Sequence, residues 1–197
     1  MSGCKGSGAM KERITAKALE LFEQNGFAET SIREIVDELG ISKGAFYHYF
    51  AAKDEILSHL HMAYINTLVK EQADTLRDAS LSSEEKLRRI IDLLIRNIEP
   101  NGANARVFFR EMRHLSEDHL AAIIPKRDQF LKQLHEVLDE GVRRGVFRSG
   151  MNTELQALAI IGACNWSYQW FRPDGPVPAQ AVTASFYDLF VHGLKNG

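Results

Sequence analysis

The chain has 197 residues, 45% of them hydrophobic, and carries a net charge of −2 at pH 7. This length suffices for one large or two small packed domains, and no run approaches the ~20 apolar residues that a membrane-spanning helix needs. The chain start lacks the basic-then-apolar pattern of a secretory signal, and Cys4 and Cys164 lie far apart. We therefore expect a cytoplasmic protein with reduced thiols and no membrane association.

The pattern of apolar residues predicts helices throughout the chain and no strand. Residues 1–9 are rich in Gly and Ser, so we expect a disordered tail, or a remnant preceding a natural start at Met10. The predicted helices are 11–25, 31–39, 42–50, 54–76, 84–98, 103–115, 118–144, 153–171 and 179–194. We expect Pro100-Asn101-Gly102 to end the fifth helix and Pro125 to break or kink the seventh.

The second and third predicted helices have the spacing of a helix-turn-helix motif. Ser31 and Glu34 form the pattern of a capping box at the start of the second helix. Gly40 ends that helix, and after one residue Ser42 caps the third. The junction is therefore tight enough for two helices that cross at a short turn.

The third predicted helix has two different sides when its residues are placed at ~100° intervals. Ala45, Phe46 and Tyr49 fall on the side that can pack on the first two helices. The other side suits a DNA major groove, because it offers donors for bases and phosphates and a bare backbone position for close approach. Its residues are Lys43, Gly44, Tyr47 and His48.

Segments 30–36 (TSIREIV) and 39–50 (LGISKGAFYHYF), with Lys53-Asp54, resemble the N-terminal domain of the TetR family of bacterial repressors. The resemblance covers residues 11–60. It implies an all-α subunit of nine helices, a homodimer, and binding to double-stranded operator DNA that a small molecule releases. It divides the chain into a DNA-binding domain at 10–56, with its motif at 31–50, and a ligand-binding and dimerisation domain at 57–197.

The resemblance also implies which residues contact DNA, when it is carried over position by position. Ala45 stands where the family often has Thr, so it offers a thymine methyl contact or none. Tyr49 stands where the family often has His. The implied contacts are Thr30, Ser31, Arg33, Ser42, Lys43, Gly44, Ala45, Tyr47, His48, Tyr49 and Lys53.

Charge limits how this domain binds DNA. Residues 10–60 contain six Lys or Arg against nine Asp or Glu, a net charge of −3. A broad positive field is therefore excluded. We expect a small, well-placed set of cations, together with helix N-termini, to contact the phosphates.

The last two predicted helices carry more apolar surface than one small domain can cover. Small residues on the eighth helix permit close approach, and aromatic and aliphatic residues stripe the ninth. A symmetric dimer interface is the favoured interpretation, and burial inside the subunit is the alternative. The predicted interface residues are Ala159, Gly162, Ala163, Phe186, Leu189 and Phe190.

The effector is the least determined part of the sequence. An apolar pocket with a few polar groups is predicted from Phe108, Phe109, Met112, Arg113, Asn165, Trp166 and Trp170. The alternative is that the stripe Arg106, Arg110 and Arg113 is a solvated face and that the aromatic residues are core. The connector 170–176 (WFRPDGP) resembles one in a subgroup of TetR repressors, several of which respond to fatty acyl or other coenzyme A thioesters. That resemblance implies an acyl-CoA or lipid-derived effector.

Other functions find little support in the sequence. A small helical enzyme is the alternative from another class. The sequence offers no Ser–His–Asp or Cys–His arrangement and no glycine-rich phosphate loop in its favour. His59 and His61 point ~200° apart on one helix, so we expect no metal site, and nothing suggests a cofactor. A regulator that activates, or that acts without a ligand, would have the same DNA-binding motif and stays open.

Overall fold

The computed structural model describes the backbone of residues 3–195 and the side chains of residues 8–98 and 102–195. Within that range the chain forms nine α-helices and no strand, which confirms the all-α prediction. The helices are α1 (Gly3–Asn25), α2 (Ile32–Leu39), α3 (Lys43–Tyr47), α4 (Lys53–Arg77), α5 (Ser83–Arg96), α6 (Ile98–Glu111), α7 (Glu117–Arg143), α8 (Thr153–Trp170) and α9 (Ala179–Leu194). A 3-10 turn, Met112–His114, follows α6.

Three stretches that we expected to be irregular are helical. Helix α1 begins at Gly3, so residues 3–9 are part of the helix that was predicted to start at residue 11. Extending an existing helix is easier than starting one, because each added residue gains a hydrogen bond. Helix α6 includes Pro100, which falls in its first turn, where a missing N–H costs no intrahelical bond. Helix α7 continues through Pro125, so the predicted break is absent, while the alternative of a kink stays a prediction. A proline inside a helix costs about 3 kcal/mol, and buried side chains such as Phe130 and Leu134 outweigh it at roughly 2 kcal/mol each.

The chain packs as two compact units. The N-terminal unit comprises the residues up to Tyr64 together with Ala103–Ile123, and the C-terminal unit comprises Ile65–Gly102 and the residues from Ile124 onward. The first three helices thus share a unit with the start of α4 and with most of α6. These packing units are not functional domains, and the predicted domain boundary between residues 56 and 57 stays a prediction.

The core of the N-terminal unit lies where α1, α2 and α3 meet. Ile14 and Phe22 on α1, Ile35 on α2 and Phe46 on α3 are fully buried. Their helical spacing gives each helix one apolar face, so the three helices enclose a common core and leave their polar faces outside.

Helix α5 is the centre of the C-terminal unit and packs against α8 and α9. Polar contacts tie α9 to α5: the Tyr187 hydroxyl donates to Glu84 at 2.5 Å, and the Thr183 hydroxyl donates to Asp92 at 3.2 Å. On α7, Gly141 leaves room for the buried ring of Phe147. None of the helices in the described part of the chain combines the length and apolarity that crossing a membrane requires.

Candidate DNA-binding site and effector region

The start of α2 is fixed by a capping box, as the sequence predicts. The Ser31 hydroxyl accepts a hydrogen bond from the Glu34 N–H at 3.1 Å, and the Glu34 carboxylate accepts one from the Ser31 N–H at 3.4 Å. The helix ends at Gly40, whose φ of +63° lies in the left-handed region that favours glycine. Residue 41 then leads directly to the cap of α3.

Helix α3 presents the exposed face that its sequence predicts. The Ser42 hydroxyl accepts from the Ala45 N–H at 3.1 Å and so caps the helix. Phe46 is fully buried, whereas Ala45 and Tyr49 are half-buried. Lys43, Gly44, Tyr47 and His48 are all exposed, and Tyr47 exposes 53% of its surface. The helix is shorter than predicted, since it ends at Tyr47, although its turn continues through hydrogen bonds from Tyr49 and Phe50 to Phe46.

Two of the cations on α1 and α2 are engaged with carboxylates. Lys17 contacts Glu20 at 2.7 Å and Glu38 at 3.8 Å. Arg33 lies 3.5 Å from Asp37 on α2, but its side chain stays 79% exposed. Such an exposed pair is weak and exchanges readily for a phosphate. Arg33 therefore fits a DNA contact, while Lys17 is held between Glu20 on α1 and Glu38 on α2.

Thr30 and Lys53 lie differently from the other predicted DNA contacts. Thr30 is only 1% exposed, and its hydroxyl lies 2.8 Å from the Gly26 carbonyl oxygen and 3.2 Å from that of Leu21. The Lys53 ammonium points to the loop between α1 and α2. The exposed set therefore comprises Ser31, Arg33, Ser42, Lys43, Gly44, Tyr47 and His48.

Two of the arginines in the predicted stripe, Arg106 and Arg110, bond to the last turns of α1, although Arg110 and Arg113 remain exposed. Arg106 donates from Nε to the Glu23 carboxylate at 2.8 Å. Arg110 donates to the Phe22 carbonyl at 2.6 Å and to the Glu23 carbonyl at 3.0 Å, and so satisfies the last turn of α1. Arg113 is exposed and lines a groove of about 330 Å³ beside the α1–α2 loop. Sequence spacing could not reveal these contacts, because they join residues more than eighty positions apart.

Of the other predicted effector residues on α6 and the turn after it, Phe108 lies in the core of the N-terminal unit and Phe109 and Met112 are half-buried. Phe108 is buried and packs against His61 and Tyr64, with ring centroids 4.9 and 4.7 Å apart. Phe109 lies edge-on to Phe108 at 5.1 Å, and Met112 is half-buried. Phe108 and Phe109 therefore pack against neighbouring rings, and their contact with an effector stays a prediction.

The predicted effector and interface residues on α8 lie mostly on one exposed face. Trp166 and Trp170 expose 61% and 46% of their surface, and Ala159 and Gly162 are exposed as well, whereas Asn165 and Ala163 are half-buried. On α9, Leu189 is 68% exposed, while Phe186 and Phe190 are half-buried. The rings of Trp170 and Phe186 lie 6.3 Å apart, which joins the two helices into one apolar surface.

Two buried polar side chains in the C-terminal unit were missed at the sequence level. Gln72 on α4 and Ser167 on α8 are fully buried, and the described residues offer no hydrogen-bond partner to the Gln72 amide atoms or to the Ser167 hydroxyl. The burial of Gln72 could have been predicted, because it follows Leu68 and Val69 on the apolar face of its helix.

An all-helical chain with a capped supporting helix and an exposed recognition helix is a helix-turn-helix DNA-binding protein. Residues 14–60 match the family model described as bacterial regulatory proteins, tetR family. Residues 80–194 match the model described as tetracyclin repressor-like, C-terminal domain. The chain belongs to the TetR family, and it is a DNA-binding transcriptional regulator rather than an enzyme.

Relatives extend over nearly the whole chain. The HTH-type transcriptional repressor KstR2 of Mycobacterium tuberculosis is 28% identical over 181 residues, which is 91% of this chain and 90% of that protein. The structure of the TetR family regulator PfmR from Thermus thermophilus has a TM-score of 0.86 at 33% identity and covers 93% of this chain and all of PfmR. AibR, solved with isovaleryl coenzyme A and operator DNA, shares the fold at 20% identity, with a TM-score of 0.79 over 93% of this chain and 97% of AibR.

Proposed function

We propose that the protein is a homodimeric repressor that binds a palindromic operator and leaves it when a small hydrophobic effector, of the acyl-CoA or lipid-derived class, is bound. It would act in the cytoplasm, where the DNA is. The observation that carries the DNA-binding part is the exposed face of α3, with Lys43, Gly44, Tyr47 and His48 beside the exposed start of α2.

The proposed DNA contacts follow from the chemistry of this surface. Lys43 and His48 donate to base edges or phosphates, and Tyr47 donates to a phosphate while its ring covers the sugar backbone. Ser31, Arg33 and Ser42 lie at the starts of α2 and α3, where helix N-termini favour anions. Ala45 and Tyr49, both half-buried, are proposed to contact DNA at the edge of this surface.

A dimer is supported by the apolar face of α8 and α9. Leu155, Leu158 and Trp166 recur at helical spacing on α8 and each expose about half of their surface or more. Apolar residues clustered in this way mark an interaction surface, and a second copy of the same chain covers it symmetrically. Two recognition helices in such a dimer reach major grooves ~34 Å apart, which requires a palindromic operator.

The effector class is supported by the names of the relatives and by the buried polar groups of the C-terminal unit. KstR2 is described as a ketosteroid transcriptional regulator, and AibR was solved with a coenzyme A thioester. An unsatisfied buried amide costs about 1–3 kcal/mol, so a molecule that reaches Gln72 and hydrogen-bonds to it gains affinity. The effector we propose is therefore amphiphilic, with an apolar body and a carbonyl or thioester group that accepts a hydrogen bond from the Gln72 amide.

Titration of labelled DNA from upstream of the protein's own gene tests the DNA-binding part. Lys43→Ala and Tyr47→Ala should each weaken binding by about fivefold or more, because a good base contact is worth ~1–3 kcal/mol. Lys132→Ala is the matched control, since Lys132 is exposed on α7 and lies outside the proposed DNA surface. Unchanged affinity in both α3 variants would contradict the proposed docking.

Release by effector is tested separately on the preformed protein–DNA complex. Isovaleryl-CoA and a long-chain acyl-CoA are added, with free coenzyme A as the control. Release by a thioester and not by coenzyme A supports the effector class. Binding that no thioester changes would instead favour a regulator with another effector or with none.

A further inference from the structure

Lys53, at the start of α4, is directed into the loop that joins α1 to α2. Its ammonium nitrogen lies 2.5 Å from the Phe27 carbonyl oxygen, 2.5 Å from that of Thr30 and 3.4 Å from that of Ala28. It also lies over the Phe27 ring, 4.3 Å from the ring centroid. All of these atoms belong to the N-terminal unit.

This arrangement uses the full bonding capacity of the side chain. A lysine ammonium has three N–H donors and no acceptor, and here three carbonyl oxygens face it. The Phe27 ring adds a cation–π attraction. Burial lowers the pKa of Lys53, while Glu29 and Glu34 oppose that shift and favour the charged form. A phosphate contact would require the ammonium to abandon these oxygens.

The loop that Lys53 holds leads directly into the proposed DNA surface. The Thr30 carbonyl, one of its acceptors, immediately precedes Ser31, the cap of α2. Thr30 is itself buried, with its hydroxyl directed at Gly26 and Leu21. Asn25 adds a hydrogen bond to Glu34 at 3.1 Å from the other end of the loop. The position of Ser31 and Arg33 therefore depends on a loop that is fixed from inside the protein.

We propose that Lys53 is a positioning residue, which holds the α1–α2 loop and thereby presents the start of α2 to DNA, and that it is not a phosphate contact. Thr30 has the same role from within the loop. The resemblance to the family implied that both residues touch DNA, and the geometry points to support from behind. This inference rests on the proposed docking of α2 and α3.

The salt dependence of DNA binding separates the two roles. Removing one phosphate contact reduces the slope of log K against log salt concentration by about 0.9, because one cation fewer is released. Lys53→Met is made in an Arg33→Met background, because Arg33 at the start of α2 is itself a proposed phosphate contact. There it should weaken operator binding several-fold further and leave the slope unchanged, since the contacts that remain at the start of α2 carry no cation. Lys43→Met is the matched control, because Lys43 is exposed on α3 and its substitution should reduce both affinity and slope.

The result for Lys53 is interpreted from its own slope, whatever Lys43 does. The proposed dimer carries two copies of Lys53, so a slope that Lys53→Met reduces by about 1.8 in that background, or an unchanged affinity, overturns the proposal. If Lys43→Met changes neither quantity, the proposed docking of α3 fails, which is a different outcome. Circular dichroism and size-exclusion chromatography establish that each variant is folded.

Acetylation of the unmodified protein gives a second test that needs no variant. Lysines are labelled with an amine-reactive acetyl reagent, with and without operator DNA, and the extent of labelling is measured by mass spectrometry. Lys53 should be slow to react in both states, whereas Lys43 should react in the free protein and be protected by DNA. A Lys53 that reacts readily in the free protein and is protected only by DNA contradicts the proposal.

Discussion

The guanidinium of Arg106 donates from Nε to the carboxylate of Glu23 at 2.8 Å, so α6 is bonded to the last turns of α1. Both side chains keep less than a third of their surface exposed. With the two Arg110 hydrogen bonds to the carbonyls of Phe22 and Glu23, this pair fixes α6 to the helix that precedes the DNA-binding motif.

Reversing the charge at one end of this pair should destabilise the protein. Arg106→Glu places two carboxylates together, and we expect the free energy of unfolding to fall by about 1 kcal/mol, given the partial exposure of the site. The double variant Arg106→Glu with Glu23→Arg should recover most of that decrease. Denaturant unfolding of the single and double variants gives the coupling energy. Additive effects of the two changes would show that the pair contributes nothing.

His61 gives stability a dependence on pH. The ring is fully buried, with Nδ1 2.8 Å from the Leu57 carbonyl oxygen and Nε2 3.0 Å from that of Phe108. Burial lowers the pKa of His61, although both carbonyls and Glu111 favour the protonated ring. In the unfolded chain this histidine binds a proton near pH 6.5, whereas in the folded protein it stays neutral to lower pH.

Stability should therefore be retained above about pH 6.5 and should fall as the pH decreases below that value. Urea unfolding at several pH values between about 8 and 5 measures this effect. In His61→Gln the fall should be shallower, with the remainder due to other groups such as His59, whose pKa burial also lowers. Equal slopes in the two proteins would remove His61 as a cause.

Gly141 on α7 is required by its neighbour. A Cβ atom there would overlap Cδ2 and Cε2 of Phe147, whose ring is buried. Gly141→Ala should therefore lower the free energy of unfolding by about 1–3 kcal/mol through overpacking. Gly193→Ala is the matched control, because nothing lies within 4 Å of that Cβ position on α9, and helix propensity predicts a gain of about 0.5–1 kcal/mol. Equal effects at the two sites would contradict this account.

The exposed apolar face of α8 and α9 predicts the oligomeric state. Leu189→Glu or Trp166→Glu should convert a dimer to a monomer, as measured by size-exclusion chromatography with light scattering. Operator affinity should fall steeply as well, because a monomer contacts only one half-site. Lys132→Glu, at an exposed position on α7, should leave the mass unchanged. A dimer that survives both apolar substitutions would place the interface elsewhere.

Replacing Gln72 should change protein stability and the response to effector in opposite directions. Gln72→Leu removes a buried amide that has no partner among the described residues, so the unliganded protein should gain about 1 kcal/mol of stability. Release from DNA by the effector should at the same time require a higher concentration. Glu71→Ala, at the neighbouring exposed position, should change neither quantity. Lower stability with unchanged release would show that the amide serves the fold.

The sequence predicts best what depends on neighbouring residues. The capping box of Ser31 and the outward face of α3 follow from local spacing, because burying Phe46 fixes the rotation of a short helix. The contacts of Lys53 and Arg106 could not be predicted from the sequence, because their partners are brought close only by the tertiary fold. Pro100 was misjudged because its effect depends on where in a helix it falls.

The sparse cation set of the DNA-binding region, six Lys or Arg against nine Asp or Glu over residues 10–60, affects how the protein finds its target. Attraction to random DNA comes from unpaired cations, and here few are available. We expect little of the protein to be sequestered along the chromosome at non-cognate sequence. A small number of molecules per cell would then suffice to keep a single operator occupied.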